Sequence, residues 1–500
     1  MICLGIDCGT QSTKAIAMDF DSGRVLASAS HPHHLIEGLP AGHMEQNPSD
    51  WITAADVTVR AVLDQLGARR GEVRGLGVSG QQHGLVVLDS DDAVVRPAKL
   101  WCDTSTVSQC DSITAHFGGS GTVIEMVGNA MLPGYTAPKI LWLREEEPAN
   151  WEQVTSVMLP HDYLNFWLTG RKTMEYGDAS GTALMDVRTR EWSHPMLDFI
   201  DPRLSSMLPE LQSSLAAAGQ LRAELRDAWG LSGEVAVSAG GGDNMMGAIG
   251  TGNTTAGCVT ASLGTSGTLF ARSDQAAIDP LGEVAGFCDS TDRWLPLVCT
   301  MNVTLVTELA RGMFGWSHAD YDAVLASTPA GADGLLLLPY LVGERTPNLP
   351  HGCGVLHGLN VTNMTAAHIA RACIEGVTLG LGYGLTRLRE LGIAPTEIRL
   401  TGGGSHSQAW RQIAADVFEV PVVCLKTGEG AALGAAIQAA WVASDAGQAS
   451  GTAFHDFAAT FVILDESTRV EPNPANATVY RNALTRMNAL RNCLHSAKLL

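Results

Sequence analysis

The chain has 500 residues, enough for more than one domain core, and 45% of them are hydrophobic, the ordinary share for a globular protein, which excludes a peptide, a fibre or a disordered tail. Its 32 Lys and Arg stand against 52 Asp and Glu, a formal net charge of −20, so neither nucleic acid nor an anionic membrane surface is an expected partner. The 11 Cys are scattered without a C-x-x-C pair, which argues against zinc ribbons and for free thiols in a reducing cytosol. The start, Met1 to Gly5, is apolar but lacks a basic segment and meets Asp7 too soon for a secretory leader, so the expected location is the cytoplasm. The most apolar run, Leu335 to Val342, falls far short of the ~20 residues of a membrane span.

Apolar residues at Ile2, Leu4 and Ile6, a polar stretch from Asp7 to Thr13, then Ala15 to Met18, a turn at Asp21-Ser22-Gly23, and Val25-Leu26 predict a β-meander. A helix is expected next, N-capped at Ser49, with Trp51, Ile52, Ala55, Val59, Val62, Leu63 and Leu66 on one face and a stop at Gly67. Short strands and helices alternate from Val73, and Val235 to Ala239 and Val259 to Leu263 read as strands. A long helix from Thr365 to Leu391 precedes a strand at Ile398 to Leu400. Gly402-Gly403-Gly404, an amphipathic helix to Phe418, a strand at Val422 to Leu425 and a helix from Ala431 follow. The segment Gly9-Thr10-Gln11-Ser12-Thr13 is echoed 255 residues later by Gly264-Thr265-Ser266-Gly267-Thr268, each between two strands. The repeat predicts two similarly built α/β domains facing each other across a cleft, residues 1–247 and 248–500.

Asp7 to Lys14 can serve as a phosphate loop: Gly9 lets the backbone approach, its amides and the hydroxyls of Thr10, Ser12 and Thr13 can donate, and Asp7 would hold Mg²⁺. Taken alone, the same residues also suit a plain hairpin turn, and the second copy at Gly264 favours function. Gly402-Gly403-Gly404-Ser405 lacks the spacing of a dinucleotide fingerprint or a P-loop; its glycines permit either close packing or a flat adenine or ribose against the backbone. Asp243, after Gly240-Gly241-Gly242, is the best candidate for a general base, with an N-cap as its structural alternative. Gln82 and His83, in Gly80-Gln81-Gln82-His83-Gly84, offer amide and imidazole groups to sugar hydroxyls, although a lone histidine is more often structural. His31-Pro32-His33-His34 reads as a solvated loop rather than a metal tract.

On the two Gly-Thr loops, the late glycine loop and the Asp after three glycines, the chain resembles the FGGY family of carbohydrate kinases, in the sugar kinase, Hsp70 and actin fold superfamily, over nearly its whole length. The resemblance implies an α/β fold of two ribonuclease H-like domains flanking a catalytic cleft. It implies phosphate binding by Gly9, Thr10, Gln11, Ser12 and Thr13 and by Gly264 and Thr265, adenosine binding by Gly403, Gly404 and Gln408, Mg²⁺ at Asp7 and a catalytic base at Asp243 assisted by Asp7. Met131 to Lys139, Pro160-His161-Asp162-Tyr163-Leu164 and Gly343-Glu344-Arg345-Thr346-Pro347 are similar to segments of members that act on D-xylulose, and Gln82-His83 falls where those members contact the sugar. Trp101, Asp103, Asp243 and Asn244 complete the implied substrate set. Many such members carry an Arg shortly after this Trp-x-Asp, and this chain has none. Gln82-His83 in place of Arg-Glu argues against glycerol. The implied reaction is ATP-dependent, in-line phosphorylation of D-xylulose to D-xylulose 5-phosphate. The alternatives are another sugar (ribulose, gluconate or a deoxy sugar) or a nucleotide-gated binding protein of the same fold. The implied partners are the sugar and ATP, and a homodimer is compatible with the reading.

Overall fold

The computed structural model describes residues 1–444 and 453–500. Strands β1 (Ile2–Cys8), β2 (Ser12–Asp19) and β3 (Val25–Pro32) form the expected meander, and helix α1 (Pro48–Leu66) follows. Strands β4 (Val73–Gly80), β5 (Ala217–Gln220) and β6 (Ala236–Ser238) precede helix α2 (Asp243–Gly250). Strands β7 (Cys258–Leu263), β8 (Gly267–Ala271) and β9 (Trp294–Thr300) form a second meander, followed by helices α3 (Thr304–Phe314) and α4 (Ala366–Glu390). Strand β10 (Glu397–Thr401), helix α5 (Gln408–Phe418), strand β11 (Val422–Leu425), helix α6 (Gly430–Ala443) and strand β12 (Leu464–Val470) complete the elements used below.

The loop between β1 and β2 is shorter than the polar stretch suggests. Asp7 and Cys8 still belong to β1, Ser12 and Thr13 already to β2, and only Gly9 to Gln11 turn the chain. Helix α1 is capped by Asn47 with Pro48 at its first turn, not by Ser49: proline fits the first helical position because the amide it lacks would have no helical partner there. The long helix α4 starts where expected, with the Thr365 side chain accepting the His368 N–H. The histidine run departs from the expected solvated loop. His31 and Pro32 end β3, and His33 is buried against the Gln46 amide at 3.3 Å.

The chain forms two compact units. Unit 1 comprises Met1–Thr255, Arg272–Leu295 and Glu429–Val462; unit 2 comprises Ala256–Ala271, Pro296–Gly428 and Ile463–Leu500. The expected break at 247/248 lies within α2. In unit 1 the strands run in the order β5-β6-β4-β1-β2-β3, with β1, β4 and β6 parallel and the meander antiparallel. In unit 2 the order β12-β11-β10-β7-β8-β9, with β7, β10 and β11 parallel, repeats that plan over five strands; at the far edge β12 follows β11 in the chain, whereas β5 precedes β6.

The period of two along β1 assigns its faces. Ile2, Leu4, Ile6 and Cys8 pack with Trp51, Ala55, Val59, Val62 and Leu63 of α1, whereas Cys3 packs with the cluster built from α2 and α6. On this second face the strand residues Gly5, Gly75 and Gly77 let α6 lie almost on the sheet. A Cβ at Gly5 would stand 1.9 Å from the Ala432 carbonyl oxygen, and one at Gly77 would stand 2.1 Å from that of Ala435. Helix α2 crosses α6 equally closely: a Cβ at Gly250 would stand 1.7 Å from the Gly430 oxygen and one at Gly434 would stand 1.8 Å from that of Met246. These backbone contacts explain why a late segment of sequence belongs to unit 1. No helix among the described residues is long and apolar enough to cross a membrane.

Candidate active site

Three loops of unit 1 leave the carboxyl ends of neighbouring parallel strands, the edge at which open α/β sheets bind ligands. Asp7 is paired with Ser79 across β1 and β4, and Gly241-Gly242 pairs with Ser79 and Gly80 on the other side of β4. Asp7, Gln82-His83 and Asp243 therefore start from adjacent positions on one sheet edge.

Asp7 is partly exposed, and its Oδ1 accepts a hydrogen bond from the Ser79 hydroxyl at 2.8 Å. Burial raises its carboxyl pKa above the ordinary value; Ser79 and Lys14 offset part of that rise, and Glu429 adds to it. Lys14, opposite Asp7 on β2, is paired with Glu429 at 3.2 Å.

Asp243 is the first residue of α2, with Gly242 in the cap position, so the N-cap alternative does not hold as written. Its Oδ1 accepts the Asn244 backbone N–H at 2.8 Å and the Asn244 amide at 2.9 Å. Asn244 also donates to Gln82 Oε1 at 2.6 Å, and Gln82 donates to the Met245 sulfur at 3.0 Å. Gly242 is needed there, since a Cβ would stand 2.6 Å from Gln82 Cγ. Asp243 is partly exposed, and burial, with the charges of Asp7 and Asp178, pushes its carboxyl up to about 7. A carboxylate with that pKa is suited to take a proton near neutral pH.

His83 holds a left-handed backbone (φ 60°), and its buried ring lies edge-on to Tyr135 at 5.5 Å and tilted against Phe287 at 5.1 Å. Its carbonyl accepts from Thr136 Oγ1 at 3.1 Å and Lys139 Nζ at 2.9 Å, and its Nδ1 lies 3.1 Å from Asp178 Oδ1. Asp178 in turn meets His161. The two segments Met131 to Lys139 and Pro160 to Leu164 thus converge on His83, a role that their spacing in sequence did not assign.

The remaining candidates in unit 1 divide by what already engages them. The Thr10 hydroxyl donates to Gln81 Oε1 at 3.3 Å and accepts from Trp101 Nε1 at 3.0 Å, while its carbonyl accepts from Gln46 at 2.7 Å. Trp101, Gln46 and Gln81 therefore hold the Gly9 turn in shape, and the last two were missed because nothing local marks them. Gln11 is exposed, Ser12 partly so and Thr13 fully buried. Asp103 is fully buried, with Oδ2 accepting from Lys99 Nζ and the Met44 N–H, each at 2.9 Å, and Oδ1 accepting from the Ser105 N–H and hydroxyl. Burial acts to raise its pKa, but the bonds from Ser105 and Lys99 outweigh it and hold the carboxyl below the ordinary value. Lys99 also lies 3.1 Å from Glu45 and 3.4 Å from His43, so its ammonium is the cation of the His43, Glu45 and Asp103 cluster. The four hydrogen bonds to Asp103 engage both of its oxygens, and none of them is to Gln82, His83 or Asp243.

In unit 2 the Gly264 carbonyl accepts the Thr304 N–H at 2.9 Å and that of Thr265 accepts the Val303 N–H at 3.1 Å, which fixes the second Gly-Thr loop to the start of α3. Gly402 (φ 80°) lies against this loop: a Cβ there would stand 2.7 Å from the Leu263 carbonyl. Gly403 and Gly404 line a cavity of about 580 Å³ with Tyr321, Asp322, Ile374 and Trp410, a size that suits a nucleoside. The two glycines differ, because a Cβ at Gly403 meets nothing within 4 Å and one at Gly404 stands 2.7 Å from the Trp410 ring. Gly404 thus fits the close-packing alternative, while Gly403 borders open space. Gln408 lines a separate cavity of about 620 Å³ with Gln412 and Asp416.

The N-terminal domain model of the FGGY family of carbohydrate kinases matches residues 2–250, and the C-terminal domain model of that family matches residues 259–443. The chain is 41% identical to the xylulose kinase of Haemophilus influenzae over 97% of its own length and 98% of that protein's. Its structure is similar to a xyloylose kinase from Brucella ovis, with a TM-score of 0.92 and 31% identity over 99% of this chain and 100% of that one. It is also similar to a gluconate kinase from Lactobacillus acidophilus, with a TM-score of 0.91 and 25% identity over 99% and 98% of the two chains.

Proposed function

The chain belongs to the FGGY family of carbohydrate kinases, and from that premise we propose that it transfers the γ-phosphoryl group of ATP to the 5-hydroxyl of D-xylulose, with Asp243 as the general base. The observation that carries this reading is the Gln82, Asn244 and Asp243 chain of hydrogen bonds, which ties a sugar-binding amide to a carboxylate pushed up to about 7. The xylulose kinase of Haemophilus influenzae, alike over both full lengths, supports the choice of sugar. Charge supports it too. Asp7 and Asp178 both raise the Asp243 pKa, so the surroundings of the base carry negative charge and favour a neutral ketose over a sugar acid such as gluconate.

Phosphoryl transfer is catalysed mainly by positioning and by stabilising charge. Gln82 and His83 would orient the ketose, and Asp243 would take the proton of its attacking hydroxyl. The Gly9 and Gly264 loops would hold phosphates through backbone N–H groups, and the cavity at Gly403 and Gly404 would take the adenosine. Asp7, a partly exposed carboxylate, offers the oxygen donor a hard divalent cation prefers, and Mg²⁺ held there would offset the charge of the phosphates. A screen of D-xylulose, D-ribulose, gluconate and glycerol with coupled ADP detection tests the proposal. D-Xylulose should give the highest kcat/KM, and a higher value for gluconate would overturn the choice of sugar.

A further inference from the structure

On the reading that His83 faces the sugar, we propose that Asp178 is a positioning residue of the sugar site, acting through His83 and braced from behind by His161 and Asp162. Asp178 is completely buried in the short helix Tyr176–Ala179, and its two oxygens serve different histidines. Oδ1 lies 3.1 Å from His83 Nδ1 and also accepts the His83 backbone N–H at 3.4 Å. Oδ2 lies 3.0 Å from His161 Nδ1, and His161 Nε2 lies 2.9 Å from Asp162 Oδ1. Asp162 Oδ2 ends the chain by accepting the Leu159 N–H at 3.0 Å.

Four buried side chains thus alternate carboxylate and imidazole, from the Leu159 backbone to the sugar-site histidine. A buried carboxylate is costly unless it is bonded, and one imidazole would reduce that cost. Asp178 holds two, and it also fixes the main chain of a residue in a left-handed conformation. A carboxylate on Nδ1 sets which ring nitrogen carries the proton, so the chemistry His83 offers at Nε2 is set from behind. Rotation of the ring is blocked as well. Tyr135 and Phe287 flank it, and Gly181 leaves room for it, because a Cβ there would stand 1.7 Å from His83 Cε1. Burial acts to raise the Asp178 pKa, but the bonds from His161 and His83 outweigh it and hold the carboxyl at about 2, so Asp178 stays charged at neutral pH.

The test is a double-mutant cycle on the full-length enzyme, with KM and kcat measured for D-xylulose and for ATP in Asp178→Asn, His83→Ala and the double variant. Asp178→Asn should raise the sugar KM about tenfold or more while ATP KM stays within about threefold, and the rise in sugar KM should add nothing in the His83→Ala background. Additive losses, an equal rise in both KM values, or an unchanged sugar KM in Asp178→Asn would overturn the proposal. If His83→Ala itself leaves the sugar KM unchanged, the placement of His83 on the sugar falls with it; if only Asp178→Asn is silent, that placement stands and the role of Asp178 falls. Should Asp178→Asn fail to fold, the same cycle is run with Asp162→Asn, which keeps Asp178 and loosens only its brace. A rise in sugar KM that vanishes beside His83→Ala supports the proposal, and an unchanged one overturns it.

Discussion

Units 1 and 2 lay five of their strands in one order, yet the two meanders end in different chemistry. In unit 1 the β1–β2 pair sets Asp7 across from Lys14; at the matching place in unit 2 the β7–β8 pair sets Ser262 across from Thr268. The Gly-Thr that follows is the same. The first loop is clamped by the side chains of Gln46, Gln81 and Trp101, the second by backbone N–H groups at the start of α3. One scaffold thus appears twice, charged in one copy and neutral in the other. Under the proposed function this difference divides the labour, with proton transfer and the cation in unit 1 and the nucleoside in unit 2.

The sharpest break comes at Asp243, at the start of α2. Asp243→Ala should cut kcat by about 10²–10⁴-fold, while ATP affinity, measured by titration calorimetry, changes little; a loss under about tenfold would make Asp243 structural. At the matched strand ends, Asp7→Asn should lower turnover about ten- to hundredfold and raise the Mg²⁺ concentration needed for half-maximal rate. Ser262→Ala should leave the Mg²⁺ titration where it is. An equal response from both would erase the distinction between the loops.

The pH profile sharpens the comparison further. With Asp243 near 7, its proton-accepting form is lost as pH falls, so kcat/KM for the sugar should drop about tenfold per unit below that value. The smallest expected effect is on stability. The folded-state pKa of Asp243 lies above the unfolded value of about 3.9, so the folded protein carries the cost of the ionised carboxylate as pH rises through about 7. Asp243→Asn should therefore raise Tm at pH 8 and leave it nearly unchanged at pH 3, below both pKa values; no gain at pH 8 would place the carboxylate in water.

The repeated loops were legible because they are local: alternating apolar residues mark the strands, and glycine followed by small polar residues marks the turn. The edges of β10, β11 and α5 were readable for the same reason. Asp178 was invisible because it lies 95 residues from the histidine it holds, and only the folded backbone brings them together. The partner of Asp103 was hidden by burial and not by distance: Lys99, four residues before it, is itself fully buried. The assignment of α6 to unit 1 did leave a trace, in the glycines at 5, 75 and 77 on one face of adjacent strands. Glycine in a strand interior weakens the strand and marks close approach by another backbone.

That close approach has a consequence for how the protein is made. The bare strip of sheet at Gly5, Gly75 and Gly77 is synthesised early, and the helix that covers it only after residue 430. At about 5–20 residues per second, the ribosome leaves the strip uncovered for on the order of half a minute. Throughout that interval the nascent chain presents an apolar, side-chain-poor surface of the kind that invites misassociation. The cover, α6, arrives only after the first 429 residues, so a chain truncated before Glu429 should need a holdase to remain in solution.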